Sequence, residues 1–505
     1  MKGAVRIRLE PLGASFEVRQ GTPLHDVLFA HGVEFPCGGR GRCKGCRVRV
    51  MHGSLPLTPE QERMLTPEEI AAGWRLSCQC SAENHLTLEM AQWEAAILSD
   101  ESTFTFAPRQ GLGVAVDLGT TTIVAQLLDL ETGNVLSVRT ALNPQARYGA
   151  DIMSRVGFSV AEQGQATLVG VIRKHIGKTV VELLDAAGKT PAGLSEIVLV
   201  GNTVMHHLFC NLDLKPLSHY PFESPALGGQ TFRGSDLGWE FAADVPVEFL
   251  PCIGGFVGSD ILAGVQAKRL HESSELTALI DLGTNGEIVM GNRDRLLCCS
   301  TAAGPAFEGA RIHMGMRAAT GAVAEVSVQG GRMVCRVLGN VAPRGICGSG
   351  LVDAVAAALD LGLIRPTGRL NDGGSSLSLC PPVKISQTDI RELQLAKGAI
   401  AAGVRMLLHD FGASPAEVSK VYLAGAFGNY VNIASAVRTG LMVFDPAQIQ
   451  PAGNTALLGA KMALFGNRQA LSGLADRIQH RPLGESRDFQ DIYVEEMTFP
   501  PGGEP

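Results

Sequence analysis

Three thiols fall within ten residues of the chain, in Cys37-Gly38-Gly39-Arg40-Gly41-Arg42-Cys43-Lys44-Gly45-Cys46, at C-x5-C-x2-C spacing. A fourth candidate, Cys78, follows in Trp74-Arg75-Leu76-Ser77-Cys78-Gln79, with Cys80 just beyond it. Three clustered cysteines and one distant one are how a [2Fe–2S] cluster is wrapped: the loop covers one side and the late thiol closes the coordination. The loop's glycines let backbone N–H groups turn toward the sulfurs without Cβ clashes. A zinc knuckle or spare thiols are the alternatives. Zinc sites usually pair two short C-x2-C units, and this chain has one good pair.

The chain has 505 residues, 45% hydrophobic and 18% charged, which predicts roughly two to four globular domains with sizeable cores. A net charge of −7 offers no electrostatic case for nucleic acid. Met1 to Glu10 alternates apolar and polar residues without a signal-peptide core, and no run of about 18 apolar residues occurs. Neither export nor a membrane span is therefore expected. Twelve cysteines in so long a chain suit metal-bound and buried thiols in a reduced cytoplasm better than a disulfide scaffold.

The cysteines need a frame, and the first ninety residues offer one. Val5, Ile7 and Leu9 alternate, as do Phe16 and Val18, which predicts a hairpin. Thr22-Pro23 reads as a helix start, Arg47 to Val50 as a strand, and Leu86, Leu88 and Met90 as a closing strand. Thr58-Pro59-Glu60-Gln61 and Thr66-Pro67-Glu68-Glu69 both read as capping boxes. This order resembles the β-grasp fold of [2Fe–2S] ferredoxins, and the x5 spacing with Arg75-Leu76-Ser77-Cys78-Gln79 looks like the adrenodoxin type. The resemblance implies Cys37, Cys43, Cys46 and Cys78 as ligands, with Cys80 the rival for the fourth place. Arg40, Arg42, Lys44, Arg47 and Arg49 crowd the loop. They read either as a solvated basic face or as a docking site for an acidic partner, and nearby positive charge raises a cluster's potential. Ser99 to Gln110 lacks periodicity and reads as a linker.

A second pattern occurs twice. Gly113-Val114-Ala115-Val116-Asp117-Leu118-Gly119-Thr120-Thr121-Thr122 is a strand ending in Asp that opens onto a Gly-Thr turn, and Ala278-Leu279-Ile280-Asp281-Leu282-Gly283-Thr284-Asn285-Gly286 repeats it. Each continues into a second and a third strand. Two such copies predict a duplicated domain with both loops serving one site. Gly-Thr loops present N–H groups and hydroxyls to phosphate oxygens, and each Asp needs Mg²⁺ or an activated water between itself and phosphate.

The large domain resembles the actin, sugar kinase and heat-shock ATPase superfamily. Asp117 to Thr122 and Asp281 to Gly286 look like its two phosphate motifs, and Leu199 to Met205 like the first connecting segment. Val421-Tyr422-Leu423-Ala424-Gly425-Ala426-Phe427-Gly428 looks like the adenosine motif, and Thr455 to Ala460 like the second connecting helix. The resemblance implies that ATP and Mg²⁺ bind here. Asp117 and Asp281 would hold the hydrated metal or orient the attacking water. Gly119, Thr120, Thr121, Thr122, Gly283, Thr284, Asn285 and Gly286 would line the phosphates, and Gly425, Ala426, Phe427 and Gly428 the adenosine. Asn202 stands where relatives position the nucleophile, and it reads equally as a helix N-cap. The turn Cys347-Gly348-Ser349-Gly350 reads as packing rather than as an anion site, His206-His207 does not read as a metal pair, and the remaining cysteines read as buried structural thiols.

A ferredoxin-like domain (1–95), a linker (96–111) and an actin-like ATPase domain (112–505) in one chain resemble the reductive activators of corrinoid proteins. An α+β β-grasp domain followed by a duplicated α/β domain is the implied architecture. The implied enzyme is an ATP-hydrolysing electron-transfer activator that returns Co(II) corrinoid to Co(I) in a methyltransferase system. A corrinoid protein docking near Arg40, Arg42 and Lys44, an upstream electron donor and a homodimer are implied with it. Some relatives carry an extra domain where only the linker stands here. An activator of a radical dehydratase or ring reductase, and a small-molecule kinase or hydrolase with a redox-sensing cluster, are the alternatives.

Overall fold

The computed structural model describes residues 3–10, 14–29, 46–90, 106–149, 151–161, 163–283, 285–309, 311–316, 318, 321–428, 430–466, 468–485 and 487–501. Cys37, Cys43, Arg40, Arg42, Lys44, Thr284 and the linker up to 105 lie outside the described residues. The chain forms two compact units, Met1–Lys268 with Thr455–Ile478, and Arg269–Asn454 with Gln479–Pro505.

The first ninety residues contain a five-stranded sheet in the order Ala14–Arg19, Ala4–Glu10, Leu86–Met90, Arg47–His52, Trp74–Leu76. The opening hairpin is antiparallel, with Ile7 opposite Phe16, while the last strand pairs parallel with the first, Ile7 opposite Leu86. Alternation places Val5, Ile7 and Leu9 in the core. Thr22–Pro23 differs from expectation: it is a two-residue strand paired with Ser81–Ala82, and the helix begins afterwards at Leu24–Phe29. Thr66 makes a complete capping box with Glu69. Thr58 accepts from the Gln61 N–H, but the Gln61 side chain turns into the core instead of closing the box.

Two sheets of one plan follow. In the first, the strand order is Val135–Leu142, Thr122–Asp129, Leu112–Leu118, Leu194–Gly201, Pro246–Phe249, Gln230–Arg233. In the second unit, Ile449–Gly453, Lys420–Ala424, Thr277–Leu282, Gly286–Gly291 and Leu296–Thr301 run in that order. Each aspartate-bearing strand has its antiparallel hairpin partner on one side and a parallel strand on the other. The helix Gly164–Ala186 buries Leu168, Ile172, Ile176, Val180 and Leu183 along one stripe over the first sheet. The helices Gly348–Asp360 and Gln387–Phe411 contribute Val352, Val355, Leu393 and Ile400 to the core of the second unit.

The described end of the linker is fastened down. Phe106 packs edge-on against Phe465 with ring centroids 4.5 Å apart, Arg109 Nη2 donates to Leu464 O at 2.6 Å, and Arg109 pairs with Glu196. Among the described residues no helix is long and apolar enough to cross a membrane.

Candidate functional site

Two of the four candidate cluster ligands are described, and Ser77 joins them. Its N–H and hydroxyl both donate to Cys46 O, at 3.1 and 2.7 Å, so the last loop cysteine is tied next to the residue preceding Cys78. Cys78 sits in a single 3-10 turn, Ser77–Gln79, and is half-buried, receiving a hydrogen bond from Gln79 Nε2 at 3.7 Å. Cys80 is 5% exposed; it donates to Leu76 O at 3.4 Å and accepts from Gln61 Nε2 at 3.6 Å. Burial pushes the Cys80 thiol up to about 12. Of the two candidates for the fourth position, Cys78 is the more exposed. Sulfur donors in this spacing, with Cys46 anchored and Cys78 accessible, fit a [2Fe–2S] group.

The basic crowd thins on inspection. Arg47 pairs with Glu69, and Arg49 Nε donates to Glu89 at 2.6 Å. Both guanidiniums also lie over the Trp74 ring, at 5.5 and 5.8 Å from its centroid. Their charge is matched within the fold, which leaves Arg40, Arg42 and Lys44 to carry any docking potential.

In the first phosphate hairpin, protein donors meet the carbonyls of the turn one after another. Asn143 Nδ2 donates to Gly119 O at 2.9 Å, Arg155 Nη2 to Thr120 O at 2.7 Å, Asn143 N to Thr121 O at 2.9 Å and Gly119 N to Thr122 O at 3.1 Å. Oxygens that would repel phosphate are thereby engaged inside the protein. Asn202 does two jobs: Oδ1 accepts from Met205 N at 3.0 Å as an N-cap, and Nδ2 donates to Thr120 Oγ1 at 2.8 Å. The glycine loop before Ser259 backs onto this turn. Thr203 Oγ1 donates to Gly254 O at 2.7 Å, and a Cβ on Gly258 would collide with Gly201 O and Asn202.

In the second hairpin Gly283 N donates to Asn285 O at 3.0 Å and Thr301 Oγ1 to Gly286 O at 3.1 Å. Asp281 stands opposite Ala424, immediately before the adenosine motif. Gly425 has φ +83°, and a Cβ there would collide with Asp281 Oδ1. Gly425–Gly428 forms one helical turn, and Phe427 stacks on Phe307 at 4.4 Å. That contact joins the 303–309 loop to the motif. The Cys347 turn is packing: Cys347 N donates to Val323 O at 3.1 Å and Ser349 Oγ to Ala324 O at 3.0 Å. His206 and His207 are both buried, with His207 Nε2 against Ser224 Oγ at 2.7 Å, and burial pulls His206 down to about 3. Neutral packed imidazoles fit that environment better than a metal pair. Arg155, Asn143 and Ser77 escaped the sequence reading, because each acts on a residue more than 20 positions away, and Gln61 reads as a cap rather than as a partner of Leu76 N.

Comparison with known proteins agrees with these halves. Residues 7–83 match a 2Fe-2S iron-sulfur cluster binding domain, 112–273 the RACo middle region, and 275–504 the C-terminal domain of RACo, the ASKHA domain. The corrinoid activation enzyme RamQ of Eubacterium limosum is 32% identical over 422 residues, covering 77% of this chain and 70% of the relative. The [Co(II) methylated amine-specific corrinoid protein] reductase of Methanosarcina barkeri is 27% identical over 426 residues, 77% of each chain. A solved structure of a reductive activator for corrinoid, iron-sulfur protein superposes with a TM-score of 0.70 at 26% identity over 98% of both chains. With a [2Fe–2S]-binding domain ahead of an ASKHA domain, the chain belongs to the RACo-like family of reductive activators of corrinoid proteins.

Proposed function

We propose that this protein is an ATP-dependent reductive activator, which delivers one electron to the inactive Co(II) corrinoid of a methyltransferase-system corrinoid protein and regenerates Co(I). The observation carrying this reading is the joining, in one chain, of a [2Fe–2S]-binding domain to an ASKHA domain along a length shared with corrinoid activators. Cys37, Cys43, Cys46 and Cys78 hold the cluster, which supplies one-electron redox chemistry when bound.

Asp117 and Asp281 hold hydrated Mg²⁺ or orient the attacking water. The hairpins at Gly119 to Thr122 and Gly283 to Gly286 take the phosphates, Gly425 to Gly428 admit the adenosine, and Asn202 fixes Thr120. Residues 1–95 form the electron-delivering domain, 96–111 the linker and 112–505 the ATPase. Arg40, Arg42 and Lys44 face the corrinoid protein, and a separate donor returns the electron. The protein works in the cytoplasm as a homodimer.

ATP is needed on thermodynamic grounds. Each roughly 59 mV of uphill one-electron transfer costs tenfold in equilibrium. Nucleotide binding helps only by favouring one of two states of the activator–corrinoid complex. The test is anaerobic: chemically reduced protein is mixed with Co(II) corrinoid protein, and the Co(I) absorption is followed with ATP, with ADP and with neither. Co(I) accumulation that requires ATP supports the reading; equal rate and yield without ATP refutes the coupling.

A further inference from the structure

Beneath the Gly119–Thr122 turn lies a guanidinium that, among the described residues, has no carboxylate in contact. Arg155, on the helix Ile152–Ser159, is 0% exposed. Its donors reach Gly149 O at 2.9 Å, Thr120 O at 2.7 Å, Gln145 Oε1 at 3.5 Å and Met205 Sδ at 3.6 Å, all neutral acceptors. Among the described residues it forms no ion pair. The nearby Asp151 caps its own helix, accepting from Ser154 N at 2.8 Å and Ser154 Oγ at 3.0 Å, and its charge reaches Arg155 only from beyond ion-pair contact. Burial lowers Arg155 only to about 10, so it is cationic at neutral pH.

Neutral hydrogen bonds satisfy a guanidinium's protons but leave its charge. A buried charge without a counter-charge is strongly unfavourable. If the task were only to pin a loop carbonyl, an amide would suffice, as Asn143 does for Gly119 O. The other fully buried cation, Lys397, has Glu496 within 3.7 Å. Among the described residues Arg155 is the fully buried cation with no carboxylate in contact, and its Nη2 touches the peptide of Thr120, in the turn that faces the phosphates in the reading above.

We propose that Arg155 is a positioning residue for the nucleotide: it draws the Thr120 carbonyl inward and supplies the fixed positive charge that phosphates at the 117–122 hairpin complete. This rests on the nucleotide-binding reading. Its signature is electrostatic, so it grows with the number of phosphate charges, whereas mere support of the fold affects every ligand alike.

Binding of adenosine, AMP, ADP and ATP to the full chain, with Mg²⁺ and without corrinoid or reductant, tests it in wild type, Arg155→Met, Arg155→Gln and Arg155→Lys. In both neutral variants ATP affinity should fall by about tenfold or more while adenosine affinity changes by less than about twofold, as a charge interaction over several ångströms requires. Arg155→Lys should restore most of the ATP-to-adenosine ratio. Without ligand, the neutral variants should melt lower than wild type, because Gly149 O, Thr120 O and Gln145 Oε1 lose their donor, so the ATP-to-adenosine ratio and not the melting temperature separates the two roles. Equal losses for adenosine and ATP, or unchanged ATP binding, would overturn the proposal. If the neutral variants fail to fold, a lysine variant with the adenosine-to-ATP ratio collapsed would do the same. Wild type that binds no nucleotide would instead remove the reading underneath.

Discussion

The two phosphate hairpins share a plan and differ at the turn that follows the neighbouring parallel strand. In the first copy Asp117 stands opposite Val200, and the turn carries Asn202. In the second Asp281 stands opposite Ala424, and the turn begins with Gly425. Asn202 sends an amide across to Thr120, while Gly425, having no side chain, lets Asp281 lie against the backbone. One copy fixes its loop by hydrogen bonds that can be removed singly. The other does so by a close approach that admits no substitution. A duplicated fold thus yields one loop held in shape and one carboxylate held against an open turn.

The widest test of this comparison removes the two carboxylates. If both serve the nucleotide despite their different surroundings, Asp117→Asn and Asp281→Asn should each lower ATP turnover by about 100-fold to 1,000-fold, the loss typical of one electrostatic contact to a reacting group. The visible spectrum of the cluster should stay unchanged in both. Turnover within a few-fold of wild type for either variant would break the equivalence of the copies.

The halves also treat a buried cation differently, and pH separates them. Lys397 donates to Thr498 O at 2.7 Å, and burial pulls it from 10.5 down to about 8 despite Glu496. Between those two values the unfolded chain keeps a proton that the folded chain has lost, so this residue makes stability rise with pH in that window and adds no slope below it. The wild-type stability minus that of Lys397→Met should climb by about 3 kcal/mol from pH 8 to 10.5, measured by urea unfolding. A flat difference would mean the amine is not desolvated. Arg155, lowered only to about 10, begins to contribute a slope only near the top of that window.

Features encoded within a dozen residues were legible in the sequence. The Asp-Leu-Gly-Thr hairpins, the β-grasp alternation and the Thr66 cap are local patterns, and each forms where expected. What escaped depends on distant packing. Gln61 matches a capping box by spacing, yet its amide accepts from Leu76 N at 3.0 Å and donates to Pro56 O at 3.2 Å, because burial in the core outweighs an exposed cap. Cys78 and Cys80 would share a face in a strand; the 3-10 turn at Ser77–Gln79 separates them. That Arg47 and Arg49 are paired within the fold could not be read locally, because Glu69 and Glu89 stand far along the chain. The match between the Asn202 and Gly425 turns shows only in the pairing of strands.

Gly425→Ala probes the close approach directly. The new methyl meets Asp281 Oδ1 and the backbone O and N of Leu282, and the alanine must hold φ +83°. Overpacking of this kind costs about 2 kcal/mol, so the melting temperature should drop and nucleotide binding should weaken with it. A wild-type melting temperature would show that both Asp281 and the Leu282 backbone can give way, and the second copy would lose its distinguishing feature.

Asn202 gives the smallest effect and the finest distinction. Asn202→Ala loses both the cap on Met205 N and the tie to Thr120, and the cap alone is worth about 1 kcal/mol. Asn202→Ser keeps a capping oxygen but is too short to donate to Thr120 Oγ1. If the amide holds the loop for phosphate, the serine variant should melt within about 0.5 kcal/mol of wild type, as one good cap replacing another should, while binding ATP several-fold more weakly. Normal ATP binding by the serine variant would reduce Asn202 to a helix cap. The first copy's loop would then be shaped by Asn143 and Arg155 alone.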